Sequence, residues 1–360
     1  MFRPLPRASG YFRTDYADEL ALIQTRGERV SLAIFIVVLT ALPFIASPFL
    51  LDLACQVFLA AIGALSLMLL TGYAGQISLG HAGLIAAGAF TTGILAREIN
   101  APFWITLPAS ALTGVVLGLI FGLPSLRLRG LYLAVSTLAL HFIVIYLGGE
   151  YETKRGFSTG IMVDKPAIAG FALNDGRIWY FILLAFAAAT LLICINLLRS
   201  RSGRAWRALH AKETVAEALG ISVARYKLLA FVVSSAMTTV AGCLFAYYRG
   251  FVSIEAFDLF LSIQYVAMII IGGMGSLLGA LLGAAFVTVF PYAIESLLKL
   301  LPNVQSLAGD IFAVNYASFG VVMILFLIFE PQGLVGIWRR VQDYFLLWPF
   351  KQKPLAGARK

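Results

Sequence analysis

The chain has 360 residues, of which 60% are hydrophobic and 12% charged, and its mean hydropathy is +0.89. A charge content about half that of a soluble protein excludes an ordinary soluble domain and indicates an integral membrane protein. The basic residues that give the net charge of +9 cluster beside apolar runs. Membrane topology therefore accounts for the charge, and no nucleic-acid partner is expected.

Ten apolar runs are long enough to cross a bilayer, which takes roughly 17 to 25 helical residues. They cover residues 31–51, 53–71, 77–96, 103–123, 131–148, 178–198, 228–249, 262–282, 284–300 and 313–330. No charge separates the eighth run from the ninth, so that boundary is the least defined. The sequence predicts an all-α fold, a polytopic transmembrane helical bundle of about ten spans, with eight to twelve compatible with the charges.

The lysines and arginines predict how these spans are oriented. If the N-terminus is cytoplasmic, 20 of the 27 lysines and arginines lie on the cytoplasmic side. The net charge is then about +12 on the cytoplasmic side and about −3 on the other side. The first 30 residues are too long and too acidic for a signal-peptide start, so the first run is expected to be an uncleaved span. This predicts cytoplasmic tails at 1–30 and 331–360 and a transmembrane domain at 31–330.

One long extracytoplasmic loop is expected at residues 149–177. A loop of this length is often functional. Two interpretations stay open, namely that the loop forms a small folded element or that it is a solvated connector.

The third apolar run begins with a concentration of polar and glycine residues, GYAGQISLGHAG from Gly72. Polar groups in hydrocarbon are costly unless they face a cavity, and glycine-broken helices at membrane depth are where transporters place substrate sites. Hydrogen bonding between helices is the alternative. The eighth run opens similarly with Ser262, Gln264 and Tyr265. The candidate pathway residues are Tyr73, Gln76, Ser78, His81 and Gln264.

Two runs carry a glycine at every fourth position, which lets helix backbones approach closely in lipid. These columns are Gly114, Gly118 and Gly122, and Gly275, Gly279 and Gly283. Packing within one subunit is the favoured interpretation, and packing against a second subunit is the alternative.

Residues 199–227 form a long polar interruption among the apolar runs. They hold seven Lys and Arg against two acids, which predicts a cytoplasmic position. Apolar residues at three- and four-residue steps predict a short amphipathic helix, with Ser202 as its N-cap and Gly220 at its end. Its apolar stripe needs a partner surface to cover it. The stripe consists of Trp206, Leu209, Ala216 and Leu219.

No motif for cofactor chemistry stands out. The chain has no GxxxxGK[ST] motif to cradle nucleotide phosphates. Its three histidines are too far apart in sequence to suggest a metal site, and Cys55, Cys194 and Cys243 lie singly in apolar runs. We therefore expect no enzyme activity, cofactor or metal on this chain, and any ATP must be hydrolysed on another polypeptide.

Three motifs resemble the membrane permease subunits of ABC importers for branched-chain amino acids, across residues 50 to 335. They are LLTGYAGQISLGHAGLIAAGAF from Leu69, LRLRGLYLAVSTLAL from Leu126 and SGRAWRALHAKETVAEALGISVARYKLLAF from Ser202. The resemblance implies a permease in the inner or plasma membrane whose partners, besides lipid, are ATPase subunits, a second related permease and an extracytoplasmic substrate-binding protein. The binding protein is expected to dock near residues 149–177.

The same resemblance implies that the stretch from Arg204 to Gly220 is a coupling helix seated in a groove of the ATPase. The residues expected to serve this coupling are Arg204, Trp206, Arg207, Leu209, Glu213, Glu217, Leu219 and Gly220. One feature departs from the general importer signature, in which a glycine follows the glutamate by six positions. Here Gly220 follows Glu217 by three.

Several alternatives stay open at this stage. The resemblance favours leucine, isoleucine and valine as substrates, while related permeases serve urea, amides or aromatic acids. An ion-coupled secondary transporter would want carboxylates within the spans. Only Glu98, Glu295 and Glu330, all near span ends, are candidates. A scaffold without a substrate is a third class, and the permease pair could be a heterodimer or a homodimer.

Overall fold

The computed structural model describes residues 26–128, 130–156, 160–168, 171–172, 175–298 and 311–347. The predicted N-terminal tail lies outside this part of the chain up to residue 25, and the predicted C-terminal tail lies outside it from residue 348 onward.

Thirteen α-helices follow one another in the described residues. They are α1 (Arg26–Ile45), α2 (Pro48–Leu67), α3 (His81–Ile99), α4 (Phe103–Ser125), α5 (Leu131–Arg155), α6 (Gly176–Arg199), α7 (Arg201–Ala211), α8 (Glu213–Ala218), α9 (Val223–Arg249), α10 (Leu259–Gly272), α11 (Leu277–Leu298), α12 (Ile311–Phe329) and α13 (Gly333–Leu347). Within the described residues, eight helical segments are long and apolar enough to cross a membrane. A ninth results if the pair Tyr316–Phe329 and Gly333–Gln342, bent by 53°, is one span. The predicted all-α transmembrane bundle is confirmed.

The first predicted span, at residues 31–51, is wrong because it joins two helices. The helix α1 ends at Ile45, and α2 begins at Pro48, whose fixed backbone angle suits the first position of a helix. The hydroxyl of Ser47 accepts a hydrogen bond from the Leu50 amide at 3.4 Å and so caps α2. Apolarity alone does not reveal this cap.

The predicted boundary between the eighth and ninth spans is also wrong. The helix α10 ends at Gly272, ten residues before the predicted end of the eighth span, and α11 begins at Leu277. In the turn between them, Gly273 has φ 116° and Gly275 has φ 76°, which residues with a side chain rarely adopt. Since no charge marks this turn, hydropathy runs straight through it.

The helices α2 and α9 form the centre of the bundle. Among the membrane-length helices, the segment that contains α2 has the largest buried share. It packs against α6, α9 and α11, and α9 packs against α3 and α4. The polar residues at the end of α2 are therefore enclosed by the rest of the bundle.

Both glycine columns pack within this chain, which confirms the favoured interpretation. The first column lies on α9, where a Cβ at Gly118 would approach the Cα of Val232 at 2.9 Å. In the second column, Gly279 and Gly283 pack against the backbone of α10. The contact between α3 and α9 is equally close, because Gly88 touches the backbone of Thr239.

The Gly88→Ala variant is expected to lose about 1–3 kcal/mol of stability, because an added methyl group would overlap the Thr239 carbonyl oxygen. The measurement is the thermal unfolding temperature of the detergent-purified chain. Gly320→Ala is the matched control, since a Cβ at Gly320 meets nothing within 4 Å. Equal unfolding temperatures for the two variants would contradict the observed packing.

The predicted loop at 149–177 carries a small folded element. The helix α5 runs on to Arg155, and β1 (Ile161–Met162) then pairs antiparallel with β4 (Phe251–Val252). A second antiparallel pair is formed by β2 (Ala167–Ile168) and β3 (Phe171–Ala172). The described part of the loop is therefore built onto the segment that follows α9.

Candidate functional site

The site is organised by a break in the third apolar run. After α2, a π-helical turn covers Met68–Tyr73, and residues 74–80 are not helical. Nevertheless, His81 at the start of α3 lies beside Gly63, with its Nε2 3.0 Å from the Gly63 carbonyl oxygen. Gly63 precedes Tyr73 by ten residues, roughly 15 Å of helix. Residues 74–80, called the return segment below, therefore lead back into the bundle.

The start of α3 is held by side chains from two other helices. The Ala82 amide donates a hydrogen bond to the Ser262 hydroxyl of α10 at 2.9 Å. The Leu79 amide donates one to the Thr137 hydroxyl of α5 at 3.0 Å. These two bonds satisfy amides that would be unpaired where a helix begins inside a bundle. The ring of Tyr265 packs on His81, with 4.9 Å between centroids.

Several polar atoms in this region are buried and accept or donate no hydrogen bond within the described structure. They are Gln76 Oε1, Ser78 Oγ, His81 Nδ1 and His141 Nδ1. A buried polar atom without a partner costs about 1–3 kcal/mol, so a group of them is expected where a ligand supplies the missing bonds. The return segment and the start of α3 contribute three of the four.

A neighbouring group of hydroxyls shows the opposite arrangement. Ser66 donates to the Gly63 carbonyl at 2.7 Å and lies 2.8 Å from the Thr238 hydroxyl. Ser234 donates to the Ser66 carbonyl at 2.8 Å. These groups satisfy one another, as the interhelical alternative predicted. The interhelical alternative therefore accounts for Ser66, Ser234 and Thr238, and it does not account for the unpartnered atoms of the return segment.

The structure separates the five predicted pathway residues. Gln76, Ser78 and His81 are almost fully buried in the site. Tyr73 is half-buried and lies by the backbone of Leu277, where α11 begins. Gln264 is half-buried on α10, and the α10 contacts with the start of α3 come from its neighbours in sequence, described above.

The predicted amphipathic helix consists of two helices. Lys212, with φ −160° and ψ 117°, separates α7 from α8. Ser200, and not Ser202, occupies the N-cap position of α7. We call the end of the bundle formed by α7 and α8 the basic end, and the other the far end.

The prediction of one continuous outward apolar stripe is wrong. Trp206 is fully buried, and its indole N–H donates a hydrogen bond to the Tyr226 carbonyl at 2.9 Å. Leu209 and Ala216 are buried as well. Since α7 turns its apolar side towards its own chain, neither Trp206 nor Leu209 is available to a partner.

The remaining coupling candidates lie at the surface or close to it. Arg204, Arg207, Glu217, Leu219 and Gly220 are exposed, and Glu213 is half-buried. Leu219 is 74% exposed and Val215 is 53% exposed, so α8 and its end present a small apolar surface. The backbone turns away at Gly220, which has φ 81°.

Comparison with known proteins decides the family. The family model described as branched-chain amino acid transport system, permease component, matches residues 49–329. The chain belongs to this permease family. The high-affinity branched-chain amino acid transport system permease proteins LivM of Salmonella typhimurium and Escherichia coli are each 31% identical over 336 residues, which cover 87% of this chain and 76% of theirs.

Other relatives are less similar in sequence. A probable branched-chain amino acid transport permease protein LivM of Methanocaldococcus jannaschii is 27% identical, over 63% of this chain and 66% of its own. The autoinducer 2 import system permease protein LsrC of Salmonella typhimurium is 26% identical, over 70% of this chain and 71% of its own. No solved structure matches the chain.

Three permease residues of the site were not among the five candidate pathway residues, although the sequence had drawn attention to Ser262 at the start of the eighth run. Thr137 and Ser262 bond the start of α3, and His141 packs against Gly83 in its first turn. Thr137 and His141 are one helical turn apart, on the face of α5 that meets α3. That spacing was readable in the sequence, but the partner helix was not. Within the described residues, no three His, Cys, Asp or Glu side chains come together as a metal site.

At the far end of the permease, a cavity opens between α1, α2, α6 and α9. Its lining includes Asp52, Lys165, Arg177 and Arg249. The carboxylate of Asp52 is engaged, because it accepts hydrogen bonds from Gln56 at 2.6 Å and from the Tyr248 hydroxyl. Charged side chains of both signs therefore surround the entrance.

Proposed function

We propose that this chain is the permease subunit of an ATP-driven ABC importer that moves branched-chain amino acids delivered by a substrate-binding protein. Membership of the permease family supports the transport role. The observation that carries the assignment of a pathway is the group of buried, unpartnered polar atoms around the return segment. It supplies hydrogen-bonding capacity at the place where a helix begins inside the bundle.

In this proposal, the return segment and the start of α3 form the polar part of the substrate path. The side chains of Gln76, Ser78 and His81 offer both donors and acceptors, which suits the charged ends of an amino acid. A helix start that lies inside the bundle also favours a carboxylate, because its amides carry partial positive charge. The apolar side chain of the substrate would face the surrounding aliphatic residues.

The basic end is the cytoplasmic side in this proposal, because seven Lys and Arg of residues 199–227 lie there. The exposed surface of α8, with Val215 and Leu219, faces the ATPase subunit. The chain itself binds no nucleotide and is not an enzyme. A second, related permease subunit completes the membrane part, and the binding protein docks at the far end near the charged cavity.

Two ion pairs weigh against an ion-coupled secondary transporter. Such a carrier needs carboxylates that are free to bind the coupling ion. Glu98 pairs with Arg155 at 3.0 Å, and Glu330 pairs with Arg340. Two of the three candidate carboxylates are thus neutralised by arginines.

The substrate class is tested by competition in cells that express the complete importer and lack other uptake systems for leucine. We expect unlabelled isoleucine and valine to suppress uptake of labelled leucine. Urea, a short amide and an aromatic acid serve as the comparison set. Suppression by one of these, with none by valine, would assign the permease to that substrate class.

A further inference from the structure

A chain of contacts joins α8 to the return segment. The Nζ of Lys227, near the start of α9, forms an ion pair with the carboxylate of Glu213, the first residue of α8. The carbonyl oxygen of Lys227 accepts a hydrogen bond from Gln76 Nε2 at 3.0 Å. One residue, Lys227, is thus bonded to the α8 helix by its side chain and to the return segment by its backbone.

The ion pair is more enclosed than the Lys154–Glu150 and Arg155–Glu98 pairs at the far end. The side chain of Lys227 is 6% exposed and that of Glu213 is 28% exposed. Separating such a pair is strongly unfavourable, because it leaves an ammonium group buried without its counter-charge. When α8 moves, Lys227 is therefore expected to move with it.

A second contact joins α7 to the same segment. The ring of His210, at the end of α7, packs on the backbone of Gly75, where a Cβ would come within 2.9 Å of Nδ1. Gly75 has φ 73°, so its backbone shape also depends on the absence of a side chain. The return segment is therefore in direct contact with α7 and is connected to α8 through Lys227.

We propose that the Glu213–Lys227 ion pair, with the Gln76–Lys227 hydrogen bond, is the link that moves the return segment together with α8. Glu213 and Lys227 are then positioning residues. They touch neither substrate nor nucleotide, and they tie the surface facing the ATPase to the segment that carries Gln76 and Ser78. This inference rests on the proposed transport function.

The test uses the complete importer in proteoliposomes, with leucine uptake and ATP hydrolysis measured on the same sample. The Glu213→Gln, Lys227→Met double variant removes both charges and leaves the backbone bond from Gln76 in place. Since no unpaired charge remains buried, we expect normal assembly with the ATPase. Leucine moved per ATP hydrolysed is expected to fall about fivefold or more, as for the loss of a coupling contact.

The matched control is the Glu330→Gln, Arg340→Met double variant. It removes another ion pair, one that ties Arg340 of α13 to Glu330 and involves neither α8 nor Lys227. We expect its ratio of leucine to ATP to equal that of the wild type. The charge-reversed variant, Glu213→Lys with Lys227→Glu, keeps an ion pair and is expected to regain most of the ratio.

The outcomes are distinguishable. An unchanged ratio in the neutral variant, while the wild type imports leucine with ATP, would overturn the link and leave the proposed function standing. Failure of the neutral variant to assemble would assign the pair to stability and would also overturn the link. Absence of ATP-driven uptake in the wild type would overturn the proposed function itself.

Discussion

The Val215→Lys, Leu219→Lys double variant is expected to lose about 100-fold or more in affinity for the ATPase subunit, and ATP-driven uptake with it. These two residues are the large apolar side chains that α8 and its end expose, at 53% and 74%. Truncation or charge at the centre of an interface typically costs about 2 kcal/mol or more for each such residue. The measurement is co-purification of the ATPase with the permease.

A matched substitution controls for a general effect of new charge on an exposed apolar residue. Met162→Lys changes a side chain that is 71% exposed, in strand β1 at the far end. We expect it to retain the ATPase fully. Unchanged ATPase recovery with the double variant would contradict the assignment of the apolar surface of α8 to the interface.

The Ser78→Ala variant is expected to lower leucine uptake about tenfold without lowering stability. The Ser78 hydroxyl is buried and makes no hydrogen bond within the described structure. Removing it relieves the cost of a buried, unpaired hydroxyl, about 1–3 kcal/mol, in the unliganded fold. The substrate then lacks a hydrogen bond of similar free energy as it passes. The two readouts are initial uptake rate per assembled complex and unfolding temperature.

Ser66→Ala gives the reverse result if the two groups of hydroxyls differ as described. The Ser66 hydroxyl already donates to Gly63 and meets Thr238. Its loss is expected to lower the unfolding temperature while uptake per assembled complex stays near the wild-type value. Normal uptake by Ser78→Ala would show that the return segment is only a structural element and does not contact the substrate.

The helical content and the approximate spans were predictable because length and apolarity decide whether a helix crosses a membrane. The breaks between helices were harder to predict from the sequence. The turn at Gly273 depends on backbone angles that only glycine adopts readily, and the start of α2 depends on a cap at Ser47. Neither feature alters the hydropathy of the chain. The break before α3 was visible because four glycines interrupt the polar run.

The site was predictable in its residue types and only partly in its partners. The polar run pointed to Gln76, Ser78 and His81, which the structure places together. Sequence periodicity also showed an apolar side on residues 202–219, but it did not show that the chain itself covers most of that side. Trp206 is buried because it bonds Tyr226, 20 residues further along the chain. Such pairings follow from how α7 folds back onto α9.

The central claim is that this chain moves its substrate through the bundle at the expense of ATP hydrolysed on another polypeptide. The most direct measurement is uptake of labelled leucine by proteoliposomes that contain the chain with its partner permease, ATPase subunits and binding protein. We expect accumulation only when ATP is present on the ATPase side. Accumulation by this chain alone, driven by an ion gradient without ATP, would contradict the account.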